Sequence, residues 1–589
     1  MNTLICNLTR FGDLLQTQPV ISGYARAGRR VGLVCLDNFA GATALLRDVD
    51  AVYPLSGGGL LAALDRNWRE ALGSLWLWGE GPARSFAPDV VLNLTATTSV
   101  RLLASHLASR SSGQTRTGHG TSGQDVPGDA AAAASAHGAG LRGFGLDSFG
   151  FSVNSDPWST FLQASTRLRG CSPFNLVDLY LMAAGLGDGE RRYELRAPEA
   201  DSLAEADALL CEAASREDVR GYVAFQLGAS EDRRRWPLKH FAELGDRLWR
   251  EERLLPVLLG AGNEAHLAGR YAQMASAPHA NFIGRTTLPV LAALLTRMRL
   301  LITNDTGTMH LAAGLGVPVL AVFLATAQPW DTGPYAEGSC TLEPDMDCHP
   351  CPFGKPCPNE LACRGRITAE TVGALARHWL RSGEWAVPAE PGTGQGQSGG
   401  QGQSGCGARV WRSCRDDGGF MDLVSLSGHE DTDRTRWVRQ QRYFYRQFLD
   451  REPAAQLAAV GIRSVIGLAE SESLSPELRA TAVAELAASV QLLHLLAEQG
   501  RVLAVRATET TKQRFLGTWQ RLQTLWDNSR LLNVLGYLWM CESQEAGSDL
   551  ATVLVLAEQY KVLVAAWHDS LLSQQDSGEQ GSGEQDLGA

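Results

Sequence analysis

The chain has 589 residues and a formal net charge of −11. At roughly 100–200 residues per domain, this length predicts about three or four domains and excludes one single core. The acidic balance argues against a protein that binds nucleic acid through overall phosphate attraction, so we expect no nucleic-acid partner. No basic leader precedes the first apolar run, and the nearest uncharged stretch, 306–330, is interrupted by Gly and Pro. We therefore expect a cytoplasmic protein.

Short apolar strands alternate with helical segments along the first 110 residues. Strands are predicted at 3–8, 31–36, 51–55 and 89–94. Strands separated by helices at this spacing predict a parallel, doubly wound sheet. Residues 111–140 are rich in Gly, Ser and Ala and hold little that could bury a core, so they predict a disordered insertion. Regular sequence then returns, and we place a first domain at 1–200.

A second α/β unit begins near residue 221. Its strands are predicted at 222–226, 255–259, 300–303 and 317–323, and an amphipathic helix at 367–381 closes it. The alternation again predicts a parallel sheet, and we place this second domain at 215–385.

The last third of the chain has a different pattern. A Gly/Gln/Ser-rich stretch at 387–408 predicts a flexible linker. Helical spacing then dominates, which predicts an all-α domain at 409–572 followed by a disordered tail at 573–589. This domain shows no catalytic constellation. Its clustered aromatic and arginine residues, such as Trp437 and Arg442, predict either a docking patch for a protein partner or an aromatic core with a charged rim.

The first candidate site residue is Asp13, which follows the first strand in the sequence Thr-Arg-Phe-Gly-Asp. Ligands of open α/β sheets bind beyond the carboxyl ends of the strands, where this loop lies. A carboxylate there could accept a proton from a substrate hydroxyl. The alternative interpretation is a plain helix cap, a position at which Asp is favoured.

The second candidate site is the turn at 304–310, between a buried strand and a helix. Its small and hydroxylic residues leave backbone N–H groups available, and the helix dipole adds positive potential, so the turn predicts a phosphate site. The candidate residues are Asp305, Thr306, Gly307, Thr308 and His310. Each could also be an ordinary residue of a helix start.

Three consecutive arginines follow the strand at 222–226. Arg234 and Arg235 suit contacts to phosphate, although a solvated charge run is the commoner explanation of such a sequence. Two other motifs are set aside. The glycine pattern at 260–265 lacks the acidic residue that a nicotinamide site needs, and the pair Asp345 and Asp347 does not follow a buried strand as a metal-binding pair would.

Four cysteines cluster in one proline-rich segment: Cys348, Cys351, Cys357 and Cys363. Thiolates at such spacing could enclose one structural zinc ion, although two of the gaps are wider than in the usual zinc knuckle. Free or reversibly oxidised thiols are the alternative.

The chain resembles glycosyltransferase family 9, the ADP-heptose:lipopolysaccharide heptosyltransferases, over 1–110 and 141–385. The resemblance is carried by LTRFGDLLQTQPVI, LGASEDRRRWPLKHFAEL, LLITNDTGTMHLAAGLGVPVLAVF and the cysteine-rich segment, in this order. It implies a GT-B fold, in which two Rossmann-like domains face a cleft.

The resemblance also implies an activity and the residues that perform it. A heptose would pass from a nucleotide-sugar donor, ADP-heptose, to a lipid-linked saccharide acceptor at the inner membrane surface. An acceptor there would place the cytoplasmic protein peripherally at the inner membrane, without a membrane span. The transfer would invert the anomeric centre and need no metal cofactor. Asp13 matches the family's proposed base, and the turn at 304–310 matches its donor site. Glu264 lies near the family's ribose-binding acid, and Arg234 stands where many members carry Lys.

Two alternatives to this function stay open. One is another GT-B glycosyltransferase or a sugar-nucleotide epimerase, which uses the same kind of donor site. The other is a catalytically silent sugar-binding scaffold whose helical region is the working part.

Overall fold

The computed structural model describes residues 1–111, 140–168, 170, 172–214, 218–387, 407–451 and 474–580. The chain divides into two compact units. The first comprises 1–155 and 174–429, and the second comprises 156–173 and 430–589. Residues 112–139, 388–406 and 581–589 of the predicted insertion, linker and tail lie outside the described residues. The predicted disordered tail is wrong for 573–580, which form the end of the helix Leu550–Gln580.

The first sheet has six strands in the order β3-β2-β1-β4-β5-β6, and β1 to β5 run parallel. Its central strands are buried on both faces because helices cover both faces. The strands are β1 (Asn2–Cys6), β2 (Arg30–Leu36), β3 (Ala51–Leu55), β4 (Val90–Asn93), β5 (Leu141–Leu146) and β6 (Ser152–Asn154). The helices are α1 (Phe11–Leu15), α2 (Gln18–Arg26), α3 (Gly57–Arg66), α4 (Trp68–Phe86) and α5 (Thr98–Ser111).

The second sheet has eight strands in the order β14-β13-β12-β11-β10-β7-β8-β9. The strands are β7 (Gly221–Gln226), β8 (Leu254–Leu259), β9 (Ala280–Asn281), β10 (Leu300–Asn304), β11 (Val319–Val322), β12 (Cys340–Pro344), β13 (Ala408–Arg415) and β14 (Met421–Ser425). The helices of this part of the first unit are α7 (Leu176–Ala183), α8 (Ala200–Ala214), α9 (Leu238–Glu252), α10 (Ala265–Met274), α11 (Leu288–Thr296), α12 (Gly307–Gly314), α13 (Pro329–Thr332), α14 (Cys363–Arg366) and α15 (Ala369–Ser382). The predicted α/β class is confirmed.

The predicted all-α boundary at 409 is wrong. Strands β13 and β14 form an antiparallel hairpin that extends the second sheet by pairing with β12. Val410 belongs to the core of that sheet, and the neighbouring Trp411 is fully buried. The turn between the strands contains Asp417, Gly418 and Gly419, a hairpin signal that the sequence carries. The second domain therefore continues past the predicted linker.

This boundary can be tested on the full chain. Replacing Trp411 with Ala should destabilise the second sheet by about 3–5 kcal/mol, because the indole is fully buried and donates to Glu343 Oε1 at 3.2 Å. The adjacent exposed Arg412 offers a matched control, and Arg412→Ala should change the free energy of unfolding by less than about 0.5 kcal/mol. If the two variants unfold with equal free energies, the hairpin does not stabilise the second sheet and the predicted boundary at 409 is right.

The second unit is helical, but it also takes in a segment predicted to belong to the first domain. Helix α6 (Pro157–Arg167) packs against α16 (Asp433–Leu449) and α19 (Asn533–Ala546). The Trp158 indole donates to Asp450 Oδ1 at 2.8 Å, and the Arg442 guanidinium donates to the Pro173 carbonyl at 2.8 Å. The predicted boundary at 200 is therefore wrong for 156–173, because its long-range partners leave no mark in the local pattern.

The aromatic residues of α16 form a core, so the docking-patch interpretation is wrong. Trp437, Arg442 and Tyr445 are buried, and the Trp437 ring stacks on Trp567 with centroids 4.9 Å apart. The remaining helices of this unit are α17 (Pro476–Val505), α18 (Glu509–Asn528) and α20 (Leu550–Gln580). Within the described residues, Pro476–Val505 and Leu550–Ser573 are long and apolar enough to cross a membrane, a property that core helices of soluble bundles share.

Candidate active site

The phosphate-binding turn predicted at 304–310 lies in the middle of the second sheet. It follows β10, whose five residues are all buried, and it leads into α12. The N-cap residue Thr306 makes no side-chain cap, so the N–H groups at the start of α12 are available to a ligand. The helix end also contributes positive potential, which favours an anion at this position.

A buried asparagine joins this turn to the loop after β7. Asn304 donates to the carbonyls of Gln226, Leu227 and Gly228 at 2.9–3.2 Å. Its Oδ1 atom accepts from the backbone N–H of Trp236 at 2.8 Å. Asn304 belongs to the predicted turn but had no role of its own there, and Gln226 was not predicted as a site residue. Their signal was a polar residue at the end of a buried strand.

Arg234 reaches the turn, and Arg235 does not. The Arg234 guanidinium forms an ion pair with Asp305 and donates to Ser230 Oγ at 2.9 Å. Its Nε atom is buried and has no hydrogen-bond partner within the described part of the chain. Arg235 instead pairs with Asp232 of its own loop at 2.8 Å. The loop thus directs one largely buried arginine toward the start of α12.

Glu264 lies over two glycines at the ends of β7 and β8. A Cβ atom at Gly228 would stand 1.6 Å from Glu264 Oε1, and one at Gly260 would stand 2.5 Å from Oε2. The carboxylate accepts from the N–H of Ala261 at 2.9 Å and from Gln226 Nε2 at 3.3 Å. Gln226 also accepts from the Thr308 hydroxyl at 3.0 Å. Glu264 is therefore coupled to the start of α12 through one glutamine.

His310 lies in the second turn of α12 and is buried. Burial lowers its pKa from 6.5 to about 4, with Asp305 acting weakly in the opposite direction. The ring is therefore neutral at pH 7. Its Nδ1 atom is buried without a hydrogen-bond partner among the described residues. An unsatisfied ring nitrogen beside an anion site is available to a ligand hydroxyl or phosphate oxygen.

The lowered pKa of His310 makes stability depend on pH. Between pH 6.5 and 4 only the unfolded chain protonates this ring, so its contribution is complete above pH 6.5 and is lost as pH falls toward 4. Between pH 7 and 5 the expected loss is about 2 kcal/mol. Urea unfolding of wild type and His310→Gln at both pH values isolates this contribution. Equal losses in both proteins would show that the ring titrates normally.

The loop after β1 touches the start of α12. A Cβ atom at Gly12 would stand 2.9 Å from His310 Cδ2 and 3.1 Å from Gly307 Cα, and one at Gly307 would stand 2.4 Å from the Phe11 ring. Glycine at both positions lets the two backbones meet. The loops at the carboxyl ends of β1 and β10 are thereby brought together within the first unit.

Asp13 follows Gly12 and is partly exposed. It is the third residue of α1, whose N-cap is Arg10. Asp13 is therefore not the N-cap that the alternative interpretation required. Its carbonyl accepts from Asn7 Nδ2 and from Thr17 Oγ1, both at 3.2 Å, and these contacts fix the start of α1.

A cavity of about 510 Å³ opens at the carboxyl ends of β1, β2 and β3. Leu8, which precedes the Asp13 loop, lines it together with Leu36, Leu55, Leu60, Leu61 and Leu75. Asp37, Asn38, Thr97 and Ser99 add polar groups. A largely apolar hollow with a few polar groups suits an organic ligand.

The acidic motif at 345 and the nearby cysteines contact other residues of the chain itself. Asp345 pairs with Arg409 Nε at 3.1 Å and His429 Nε2 at 3.3 Å, so its oxygens serve an ion-pair network. Clustered cysteines accept hydrogen bonds from the chain, Cys348 Sγ from Asn359 Nδ2 at 3.2 Å and Cys357 Sγ from the Leu361 N–H at 3.4 Å. Across the described residues, no group of three or more His, Cys, Asp or Glu side chains is arranged to hold a metal ion.

Residues 185–362 match the family model of glycosyltransferase family 9 (heptosyltransferase). The predicted resemblance is confirmed over this range. The matched range contains Arg234, Glu264 and the turn at 304–310, whereas Asp13 lies outside it.

Two curated relatives carry the same kind of name. Lipopolysaccharide heptosyltransferase 1 of Pseudomonas aeruginosa is 33% identical over 130 residues, which are 22% of this chain and 36% of the relative. Lipopolysaccharide heptosyltransferase 2 of Salmonella typhimurium is 34% identical over 123 residues, which are 20% of this chain and 34% of the relative. The chain thus spans about a third of the length of these relatives.

Two solved structures of glycosyltransferases align with this chain at low sequence identity. The E. coli heptosyltransferase WaaC with ADP is 18% identical, covers 57% of this chain and 91% of its own, and gives a TM-score of 0.38. A glycosyltransferase family 9 protein from Veillonella parvula is 19% identical, covers 57% and 83%, and gives 0.42.

Proposed function

We propose that the first unit transfers a heptose from a nucleotide-activated donor, ADP-heptose, to the core of a lipopolysaccharide. The observation that carries this proposal is the meeting of two loops, one bearing Asp13 and the other starting α12. One offers a base and the other an anion site, which are the two parts that glycosyl transfer to a hydroxyl needs. The family match and the names of the relatives support the heptose and the acceptor.

The diphosphate of the donor would bind at the start of α12. The free N–H groups of this helix and the Arg234 guanidinium would meet the negative charge that develops on the leaving nucleoside diphosphate. Asp305 balances the charge of Arg234. Because cationic and N–H groups are supplied by the chain, we infer that catalysis requires no metal ion.

The nucleoside would lie over the ends of β7 and β8. Glu264 is held there by Ala261 and Gln226, and the glycines beneath it leave room for its carboxylate. A carboxylate in this position can accept hydrogen bonds from two ribose hydroxyls. Gln226 joins Glu264 to Thr308, so ribose and phosphate recognition would share one hydrogen-bond chain.

The acceptor would occupy the cavity beside Leu8. Its hydroxyl would approach Asp13, which takes the proton as the oxygen attacks the anomeric carbon from the face opposite the diphosphate. Attack from that face inverts the configuration of the sugar. The two sheets, each with a loop at one side of the transfer, would correspond to the two domains of a GT-B enzyme.

A structural zinc on Cys348, Cys351, Cys357 and Cys363 stays a separate proposal. The N–H···S contacts at two of the sulfurs suit thiolate ligands, but the four side chains would have to approach one another to form a tetrahedral site. Metal analysis of the purified chain should find about one zinc per chain, and a Cys351→Ser/Cys357→Ser variant should lose it. Metal-free protein with unchanged stability would end this proposal.

The experiment that tests the proposed function begins with donor binding. ADP and ADP-heptose should raise the melting temperature of the full chain, and UDP-sugars should not. EDTA should leave transfer intact if the diphosphate is met by the chain alone. Loss of transfer that added divalent metal restores would contradict metal independence.

A further inference from the structure

Two elements of the first sheet carry large apolar side chains that the sheet does not bury. On α4, Trp68, Leu72 and Trp76 are 54%, 38% and 48% exposed. In the turn between β5 and β6, Phe149 and Phe151 are 85% and 71% exposed. We call these five residues the apolar rim. The turn is ordered, because Asp147 Oδ1 accepts from the N–H groups of both phenylalanines at 2.8–2.9 Å.

The exposed residues of α4 are additional to its packing face. Leu75 and Phe86 already bury the helix in the core of the first sheet. Trp68, Leu72 and Trp76 repeat every four residues and form a stripe along the flank of that face. A helix needs no such stripe to pack, and contiguous exposed apolar surface of this kind marks an interaction site.

Both elements lie toward the edge of the sheet where the parallel strands end. The turn with the phenylalanines directly follows β5. Helix α4 has 19 residues, about 28 Å, and ends just before β4 begins. A β-strand of five residues spans only about 17 Å. The first turns of α4, which carry Trp68 and Leu72, therefore project past the carboxyl ends of the strands.

Charge beside the stripe identifies the kind of partner. Arg66 and Arg69 are exposed on either side of Trp68, and the Arg69 guanidinium lies 4.3 Å from the Trp68 ring centroid. Among the described residues, no carboxylate forms an ion pair with either arginine. Indole rings beside exposed arginines match the boundary between lipid headgroups and acyl chains, where Trp lies at headgroup depth and Arg meets phosphate.

We infer that the apolar rim docks the protein on the surface of a phospholipid bilayer. Trp68, Leu72 and the two phenylalanines would insert among the headgroups, and Arg66 and Arg69 would contact lipid phosphates. The cavity beside Leu8 opens at the same edge, so a docked protein would face the membrane with its proposed acceptor site. The docking itself does not depend on the proposed transfer activity.

Vesicle co-sedimentation of the full chain tests this inference. Wild type should bind phosphatidylcholine vesicles, and phosphatidylglycerol should strengthen binding by roughly fivefold for each arginine engaged. Trp68→Ser/Leu72→Ser and, separately, Phe149→Ser/Phe151→Ser should each weaken binding at least tenfold. Phe353→Ser, which removes a phenyl ring that is 60% exposed near the clustered cysteines, is the matched control and should bind as wild type does.

Other outcomes of these experiments would contradict docking on a bilayer. Binding that both double variants retain, or wild type that does not bind vesicles, would overturn the inference. If wild type self-associates in sedimentation velocity and the double variants do not, the apolar rim is an interface between two copies, which also overturns the inference. ADP affinity and thermal melting should stay unchanged in the variants, so failure of vesicle binding is distinguishable from failure of the proposed donor site.

Discussion

Replacing Asp13 with Asn should lower the rate of sugar transfer by about 10²–10⁴-fold. The amide is nearly isosteric with the carboxylate but cannot take the proton of the acceptor hydroxyl. Asp13 is not the N-cap of α1, and its backbone carbonyl is held by Asn7 and Thr17, so the loop should keep its shape. The rate is measured as acceptor-dependent release of nucleoside diphosphate.

Two accompanying measurements give the Asp13→Asn result its meaning. Donor affinity and melting temperature should match wild type, because the side chain acts on the acceptor. A variant that keeps more than roughly a third of the wild-type rate would show that Asp13 has only a structural role.

Donor affinity should fall about 10²-fold when Arg234 becomes Ala. The guanidinium is largely buried, and its removal leaves Asp305 without its charge partner at the position proposed for phosphate. Added salt should weaken donor binding to wild type more than to the variant. Isothermal titration with ADP measures both effects.

The neighbouring arginine supplies the control for Arg234. Arg235 pairs with Asp232 on its own loop, so Arg235→Ala should change ADP affinity by less than about twofold. This comparison separates a specific phosphate contact from the general positive charge of three consecutive arginines. Equal losses in the two variants would contradict the assignment of Arg234.

Four strands of each sheet could be predicted because each is a short apolar run with helical sequence before the next, whereas β5, β6, β9 and β12 were not predicted. The predicted strand 51–55 matches β3 at both ends, and the predicted closing helix corresponds to α15. The helical sequence between β3 and β4 forms two helices, since Asn67 ends α3 and caps α4. A local sequence pattern predicts that a segment is helical more readily than it predicts where one helix ends and the next begins.

The residues of the candidate site could be predicted where they form one continuous motif in the sequence. They could not be predicted where contacts between different strands bring them together. Asp305 and His310 stand in one turn, and the structure brings them together with Arg234. Asn304 and Gln226 acquire their roles through contacts with another strand or loop, which the local sequence does not express. The hairpin of β13 and β14 was missed because a Gly-rich stretch separates it from its sheet.

Acceptor-dependent turnover of ADP-heptose by the purified full chain tests the central claim most directly. With a lipopolysaccharide core acceptor present, ADP should be released in step with formation of a glycoside whose anomeric configuration, read by NMR, is opposite to that of the donor. Without acceptor, the donor should remain intact. Conversion of the donor to an epimer without acceptor, or binding of ADP-heptose without any turnover, would contradict heptose transfer and favour an epimerase or a silent sugar-binding protein.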